Sequence, residues 1–507
     1  MEFTSILDLK PSSHREMPRS AFYTDLNLNQ VIERIAMDWK EKVSQFYYYF
    51  PENRECEDYR REVYADIRRE EVYALLVRFV SNMGKRQEAA AQKEEVDSHL
   101  QKLAWHIRET GFYCDALEEL YAALRPVSLT SRGMQSLREY LRNYLESEAY
   151  LNMQRSMSRL RQELLGFRVT LTYDKERLIV AESQAPGAYD TFLCDCFSEP
   201  PKPLKSPFMA SADLTALEEE ILHIFCKKHA AFFKEAKAFY KTYAHYAQDK
   251  LLQFRSEVQF YLSFYHFQCN MQSNGFTFTA PSVSDEKEMC ASGLYDLALA
   301  CVNLSEGKEV VSNDMVYHKG ERFFVLTGPN QGGKTTFARS LGQLVYFTKM
   351  GLDVPALSAN VPYFGGILTH FSVEESIETG RGKLKEELMR LKPMMNEKHT
   401  HAFIVINELF TTAANYDACI MGKKVLEHFI AQNGQGIYVT HLRELSQGHP
   451  QVVSLKAMLD ERMMQNFKII RSEAEPAAYA VRQVEKYQLT YEQMKERLRK
   501  KQNGDFV

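Results

Sequence analysis

A glycine-rich stretch around residue 330 contains the residue types that proteins use to hold a phosphate chain. It follows the apolar run Phe323–Thr327, which is typical of a buried strand, and precedes a helix-like segment that extends through Phe347. Glycines let backbone N–H groups close around phosphate oxygens, and the following helix presents its positive end. The strand, the spacing G-x-x-x-x-G-K-T and the helix together predict an ATP-binding loop rather than a glycine turn without a ligand. Its residues are Gly328, Pro329, Asn330, Gln331, Gly332, Gly333, Lys334, Thr335 and Thr336.

Two further apolar runs predict strands that end in residues able to act on a nucleotide. Ala402–Ile406 ends in Asn407-Glu408, and Gly436–Thr440 ends in His441. Because the carboxyl ends of parallel strands meet at one edge of a sheet, we expect these side chains beside the loop. In ABC-type ATPase sites a glutamate in this position acts as general base, a role we assign to Glu408. His441 would sense the γ-phosphate.

A Mg²⁺ ion is the expected companion of a bound triphosphate. The Thr335 hydroxyl would bind it directly, while Asn407 and Glu408 would reach it from the neighbouring strand. The alternatives are a solvated glutamate at a strand end and a histidine with only a structural role. ATP and Mg²⁺ are therefore the predicted cofactors, and Glu408 and His441 the predicted catalytic pair.

The elements that must position these residues lie within 286–475, where short apolar runs alternate with helical patterns. That texture predicts an α/β domain with a buried parallel sheet, here a C-terminal P-loop ATPase domain of the ABC type. Residues 21–165 are almost wholly helical in pattern and predict a long helical core or lever region, after a flexible tail at 1–20. Helix breaks are expected at Pro51, Gly84, Gly111 and Pro126.

A small β insertion, 166–213, interrupts the helical region. Phe167–Tyr173 and Arg177–Ala181 alternate apolar and polar residues, which predicts a hairpin with a clamp-like position. From Thr215 to Asn274 there is neither glycine nor proline, and Thr215 with Glu218 forms a capping-box pattern. One continuous helix over these residues would be about 90 Å long, a lever returning to the core within 214–285. The alternative is two helices joined by a bend that the sequence does not mark.

Composition sets limits on the whole chain. Its 507 residues are enough for two to four domains, and 45% apolar with 26% charged residues is typical of a globular protein. The net charge of −4 excludes a uniformly basic nucleic-acid coat but not a local basic patch. No apolar run is long enough to cross a membrane, and no signal-peptide core is present, so we expect a cytoplasmic protein without membrane partners. Nine scattered cysteines favour reduced thiols over a metal site at Cys194 and Cys196.

The three nucleotide-site elements, in this order, resemble the MutS DNA-repair family. The loop is similar to the family's GPNMGGKST, with Gln331 and Thr335 as the two changes. Thr440-His441 is similar to its ATH motif, and the distance from Asn407-Glu408 to Tyr416-Asp417 matches its DEIGRGTSTYDG stretch. The resemblance is specific across 310–485 and architectural elsewhere. Two flanking matches are Ser312-Asn313-Asp314, similar to PND, and Tyr479–Val484, similar to the SYGIQVA helix of a dimerisation segment that we place at 476–507.

Departures from the family pattern bear on hydrolysis. The family's Mg²⁺-binding aspartate is Asn407 here, so Mg²⁺ should be held less tightly. The signature that reaches the partner's γ-phosphate in a MutS dimer corresponds to Thr379, Gly380, Arg381 and Gly382, with Gly382 in place of its serine. The resemblance thus implies a homodimer with ATP bound at its interface and hydrolysed slowly.

The resemblance also implies DNA as a partner. About 20 residues precede the helical core, so we expect branched, recombining or damaged DNA rather than classical mismatch recognition. The candidate contacts lie just before or within the hairpin, and a solvated helix face is the alternative explanation for them. They are Arg155, Arg159, Arg161 and Arg168.

Two other functions stay open. One is a nucleotide-gated binding or structural protein with little hydrolysis, which Asn407 favours. The other is an ABC-like ATPase that acts on protein partners without nucleic acid.

Overall fold

The computed structural model of this chain describes residues 3–9, 20–39, 43–51, 53–167, 169–174, 177–182, 215–284, 288–372, 382–396, 401–459, 465–472 and 489–495. The chain forms two compact units. The first joins Met1–Ser12 to Glu62–Leu262, and the second joins Ser13–Arg61 to Ser263–Val507.

Helices occur in both units, and of the three sheets that the described residues form, two belong to the second unit. In chain order the helices are α1 (Phe22–Asp25), α2 (Leu28–Ala36), α3 (Ser44–Tyr47), α4 (Arg54–Ile67), α5 (Glu70–Glu95), α6 (His99–Leu124), α7 (Arg132–Leu145), α8 (Glu148–Gly166), α9 (Ala216–Lys228), α10 (Ala230–Thr242), α11 (Asp249–Ser273), α12 (Leu297–Glu306), α13 (Lys334–Lys349), α14 (Lys383–Asn396) and α15 (Asn415–Ala431). The strands are β1 (Val169–Asp174), β2 (Arg177–Glu182), β3 (Ser282–Ser284), β4 (Met289–Leu294), β5 (Asn313–Tyr317), β6 (Phe323–Thr327), β7 (Ser358–Pro362), β8 (Gly366–Phe371), β9 (Ala402–Asn407), β10 (Gln435–Val439), β11 (Val452–Leu459) and β12 (Gln465–Arg471). The mixed α/β character of the prediction is confirmed.

Gly84 and Gly111, where we predicted breaks, lie inside the continuous helices α5 and α6. A Cβ atom at Gly111 would lie 3.4 Å from Met157 Sδ and from Arg161 Nη1, so this glycine lets α6 approach α8 closely. A glycine costs a helix only about 1 kcal/mol relative to alanine, which the packing of long helices offsets. Pro51 and Pro126 do lie between helices, as predicted.

The predicted single helix from Thr215 to Asn274 is wrong, because α9, α10 and α11 share those residues. The capping box at Thr215 is present, but the helix that it opens ends at Lys228. A second interruption separates α10 from α11 at Tyr246, whose buried hydroxyl donates to Glu109 Oε1 at 2.8 Å. A buried tyrosine needs such a partner, and this tertiary contact stabilises a turn that no glycine or proline marks.

The predicted flexible tail is also wrong over the described residues 3–9. Phe3, Ile6 and Leu7 are buried. The carboxylate of Glu257 on α11 accepts hydrogen bonds from Ser5 Oγ at 2.8 Å and from the Ile6 N–H at 2.9 Å. An apolar face and a buried acceptor hold this segment in the first unit.

The predicted hairpin is present. β1 and β2 pair antiparallel, from Val169 opposite Glu182 to Asp174 opposite Arg177. The remainder of the insertion, 183–214, lies outside the described residues, so the clamp stays a prediction.

A six-stranded sheet forms the centre of the second unit, in the order β12-β11-β6-β10-β9-β8. Its strands β11, β6, β10, β9 and β8 are parallel, and β12 pairs antiparallel with β11. Every residue of β6, β9 and β10 is buried, as expected for parallel strands covered on both faces. A four-stranded sheet, β3-β7-β4-β5, completes the unit.

Helices α1 to α3 belong to this second unit, whereas we assigned all of 21–165 to one helical region. The backbone oxygens at the end of α1 accept hydrogen bonds from α13: Arg339 Nε donates to Asp25 O at 2.9 Å and Gln343 Nε2 to Leu26 O at 3.0 Å. Leu26 is fully buried, and a Cβ atom at Gly342 would lie 2.5 Å from its methyl carbon. The glycine on α13 therefore admits Leu26.

None of the described helices combines the length and the apolar composition needed to cross a membrane. The predicted dimerisation segment, 476–507, lies outside the described residues except for its part within 489–495, where residues 491–495 are helical.

Candidate nucleotide-binding site

The glycine-rich loop leaves the carboxyl end of β6 at the middle of the six-stranded sheet and leads into α13. Three of its residues have left-handed backbone angles: Gly328 (φ 142°), Gln331 (φ 62°) and Gly333 (φ 82°). Gly333 is the residue that caps α13, and Lys334 begins the helix. The chain thus turns back over the positive end of α13, where an anion is stabilised.

Gly328 is required by two independent constraints. A side chain rarely adopts its φ of 142°, and a Cβ atom there would lie 2.9 Å from the Cβ of Ala457 on β11. Only glycine allows the loop to pass this close to the neighbouring strand.

Lys334 points into the loop rather than into solvent. Its side chain is buried, and its Nζ donates to the carbonyl oxygens of Gly328 at 3.0 Å and Pro329 at 2.7 Å. Burial lowers the pKa of Lys334, and the charge of Glu408 acts in the opposite direction. An ammonium has three donors, so this lysine has the geometry to exchange loop carbonyls for phosphate oxygens.

Thr335 and Asn407 meet although 72 residues separate them. The Thr335 hydroxyl donates to Asn407 Oδ1 at 3.0 Å, because β9 lies beside β10, which in turn lies beside β6. A hydroxyl oxygen, an amide oxygen and the nearby Glu408 carboxylate are hard oxygen donors of the kind that Mg²⁺ prefers. One of these three groups is a carboxylate, so the set fits a Mg²⁺ ion whose positive charge is also balanced by phosphate groups.

Glu408 and His441 face each other across the ends of β9 and β10. His441 Nε2 lies 3.4 Å from Glu408 Oε1, and both side chains are partly exposed. Glu408 has a left-handed φ of 54°, and its N–H donates to Val439 O at 2.9 Å. The predicted catalytic pair is therefore brought together beside Lys334.

A cavity of about 630 Å³ connects these groups. The loop from Asn330 to Thr336, Glu408 and His441 line one part of it. Two aromatic side chains outside the loop, Tyr295 and Phe467, also line it, and a Cβ atom at Gly333 would lie 3.3 Å from the Phe467 ring. Sequence reasoning did not select these two residues. Phe467 owes its position to a left-handed φ of 57° on β12, and its carbonyl accepts from Asn313 Nδ2 at 3.1 Å.

The predicted signature lies mostly outside the described residues, which exclude Thr379, Gly380 and Arg381. Gly382 is exposed, and its carbonyl accepts from the Lys385 N–H at 2.9 Å in the first turn of α14. Whether the signature serves a second subunit stays a prediction.

The predicted DNA contacts lie in the first unit, on α8. Arg155 is exposed, whereas Arg159 pairs with Glu235 and Arg161 Nη1 lies 2.7 Å from Asp115 Oδ2. Arg168 lies outside the described residues. Two of the three described arginines thus have carboxylate partners, which fits a solvated helix face as well as a binding surface.

Comparison with known proteins identifies the unit that carries the cavity. The family model of MutS domain V matches residues 324–492, from the second residue of β6 past His441 and β12. This part of the chain belongs to the MutS family. The MutS match includes the loop, Asn407, Glu408 and His441.

Individual MutS relatives extend the similarity at low identity. The DNA mismatch repair protein MutS of Fervidobacterium nodosum is 26% identical over 222 residues, which are 43% of this chain and 26% of the relative. MutS of Bacillus mycoides is 25% identical over 255 residues, 50% of this chain and 27% of the relative. MutS of Leuconostoc mesenteroides is 30% identical over 142 residues, 28% and 17% of the two chains. The chain thus spans about a quarter, or less, of the length of these MutS proteins.

Proposed function

We propose that this chain binds ATP with Mg²⁺ in the 630 Å³ cavity, hydrolyses it slowly, and couples the nucleotide state to DNA binding as a homodimer. The convergence of Lys334, Thr335–Asn407 and Glu408–His441 on one cavity carries the proposal. These groups come from three places in the fold, the start of α13, the end of β9 and the end of β10, and each has the chemistry that phosphoryl transfer to water requires. Membership in the MutS family supports the same activity.

The position of each residue indicates its role in the proposed reaction. The N–H groups at the start of α13 and the Lys334 ammonium would hold the β- and γ-phosphates. Thr335 and Asn407 would hold Mg²⁺, which supplies charge neutralisation when bound. The Glu408 carboxylate would orient a water and accept its proton, and His441 would hydrogen-bond the outermost phosphate oxygens. Tyr295 and Phe467 offer the apolar wall that a purine base needs.

Lys334→Ala is expected to weaken ATP binding by about 10- to 150-fold, because a hydrogen bond to a charged group contributes roughly 1.5–3 kcal/mol. Titration calorimetry with ATP and magnesium measures the effect. Lys319→Ala is the matched control, since Lys319 is an exposed lysine in the turn before β6, at the opposite end of that strand. Equal affinities of the parent and Lys334→Ala proteins would contradict the site.

Asn407→Asp is expected to lower the Mg²⁺ concentration that half-saturates ATP hydrolysis by about tenfold or more, the scale on which residues around a metal ligand change its affinity. The introduced carboxylate adds a negative charge where the amide oxygen now accepts from Thr335. Asn415→Asp adds the same charge at the exposed start of α15 and controls for net charge. A magnesium titration unchanged by Asn407→Asp would place the ion elsewhere.

DNA binding is the part of the proposal that rests on family membership and on the exposed Arg155. We expect salt-sensitive binding to branched, linear or single-stranded DNA in gel shifts. Arg155→Ala should reduce the slope of log affinity against log salt by about 0.9, the value for one lost phosphate contact on duplex DNA. Binding to none of the three DNAs at physiological salt would contradict the DNA function but not the ATPase.

One observation favours a second candidate, a nucleotide-gated binding protein that hydrolyses almost no ATP. Asn407 supplies an amide where a carboxylate would bind Mg²⁺ more tightly. Steady-state turnover separates the two candidates, with Lys334→Ala as background. Turnover equal to that background, with ATP binding intact, would favour the second candidate.

A further inference from the structure

The turn that carries Glu408 has backbone angles that cost conformational free energy. Glu408 and Phe410 have φ values of 54° and 63°, and a left-handed residue other than glycine costs about 1–2 kcal/mol. Such conformations persist only where the surroundings over-determine them. Two backbone donors pin this turn: the Glu408 N–H to Val439 O at 2.9 Å, and the Phe410 N–H to the carboxylate of Glu387 at 3.1 Å.

Glu387 is an unusual residue to find at its position. It is 3% exposed on α14, and keeping a carboxylate out of water costs several kcal/mol unless hydrogen bonds stabilise it. Its Oε2 accepts the Phe410 N–H across 23 residues of sequence. Burial, and then the nearby Glu387 charge, raises the pKa of Tyr438 on β10, the strand that leads to His441.

Helix α14 contacts strand β8 at Glu387 itself and one turn further along the helix. The Glu387 carbonyl oxygen lies 3.3 Å from the His370 ring on β8, and Arg390 Nη1 donates to Phe371 O at 2.9 Å. The carboxylate is therefore held at a fixed place relative to the turn.

We propose that Glu387 is a positioning residue for ATP hydrolysis, which holds the Glu408–Phe410 turn so that the Glu408 carboxylate faces His441 and the loop. The inference rests on the proposed function. Glu387 does not line the cavity, so it would act on hydrolysis through the backbone of the turn rather than by contact with the nucleotide. Loss of its acceptor releases the turn from the left-handed conformation and misplaces the general base.

Single-turnover hydrolysis and calorimetric ATP affinity test the proposal in Glu387→Ala, Glu387→Gln and Leu391→Ala. In Glu387→Ala we expect hydrolysis to slow by up to about 10²-fold, the effect of a misplacement of roughly 1 Å, with ATP affinity unchanged. Glu387→Gln should recover most of the rate, because its amide oxygen still accepts the Phe410 N–H. Leu391→Ala removes packing from the same helix but not the acceptor, so it should lower stability and leave the rate of the folded protein unchanged.

A second readout isolates the route through Glu408. In a Glu408→Gln background, Glu387→Ala should cause little further loss, since residues that act as a unit are not additive. If Glu387→Ala hydrolyses ATP as fast as an active parent, or if Glu387→Gln is as slow as Glu387→Ala, the positioning role of Glu387 is overturned. The proposed ATPase activity would still stand in that case. A parent no faster than Lys334→Ala would overturn this role and the proposed ATPase together.

Discussion

ATP hydrolysis is expected to slow by about 10²- to 10⁴-fold in Glu408→Gln, the range that a general base contributes. Glutamine keeps the size of the side chain and the left-handed backbone but cannot accept a proton from water. Glutamine also removes the negative charge beside His441, whose Nε2 lies 3.4 Å from Glu408 Oε1. ATP affinity should stay near that of the parent, because Lys334 and the loop remain intact. Single-turnover hydrolysis and calorimetry measure the two quantities separately.

Glu444→Gln is the control for Glu408→Gln. Glu444 is an exposed glutamate in the short 3₁₀ helix Arg443–Ser446, just after His441, and its substitution makes the same change of charge. It should leave the rate unchanged. Hydrolysis by Glu408→Gln within about threefold of the parent, with Lys334→Ala inactive, would transfer the role of general base to another residue.

Lys349→Met is expected to lower the free energy of unfolding by about 3–5 kcal/mol, the cost of leaving one partner of a buried ion pair alone. Lys349 Nζ lies 2.5 Å from Glu57 Oε1 and 2.6 Å from Phe364 O, and both charged side chains are buried. Burial raises the pKa of Glu57 from 4.5 even beside this lysine. Without the lysine the pKa should rise further, so the variant should lose stability as pH rises above about 4.5, where the unfolded carboxyl ionises. Urea unfolding at several pH values measures both effects.

Two controls show whether the loss of stability in Lys349→Met comes from burial of the ion pair or from the change of charge alone. Lys308 Nζ also lies 2.5 Å from a glutamate oxygen, that of Glu306, but its side chain is 67% exposed. Lys308→Met should therefore cost at most about 1 kcal/mol. The double variant Glu57→Met with Lys349→Met should recover most of the stability, because replacing a whole buried pair by apolar residues is often neutral. A loss under about 1 kcal/mol in Lys349→Met would contradict the account.

The placement of the candidate site residues was predictable from local sequence, because each part of the site follows a strand of its own. Apolar runs before Gly328, Asn407 and His441 predict buried strands, and strands β6, β9 and β10 are indeed parallel neighbours. Parallel order brings their carboxyl ends to one edge, so Thr335 meets Asn407 as expected. Phe467 and Glu387 were not predictable, because a left-handed φ on β12 and one side chain-to-backbone hydrogen bond place them.

The helical part was less predictable, because tertiary contacts decide where its helices end. Gly84 and Gly111 are typical helix breakers, yet both lie within helices. Conversely, the sequence around Tyr246 contains neither glycine nor proline, yet the helix is interrupted there, where the buried Tyr246 hydroxyl donates to Glu109. The capping box at Thr215, which involves only neighbouring residues, was predicted correctly.

The contact between α1 and α13 has a consequence for synthesis of the chain. Arg339 and Asp25 are 314 residues apart. At about 5–20 residues per second, a ribosome needs roughly 15–60 s to make that distance. Throughout this interval Phe22 and Leu26 lack their partners on α13, which are Tyr346 and Gly342. The newborn chain is therefore exposed to aggregation for that time, and chaperone capture at this segment would protect it.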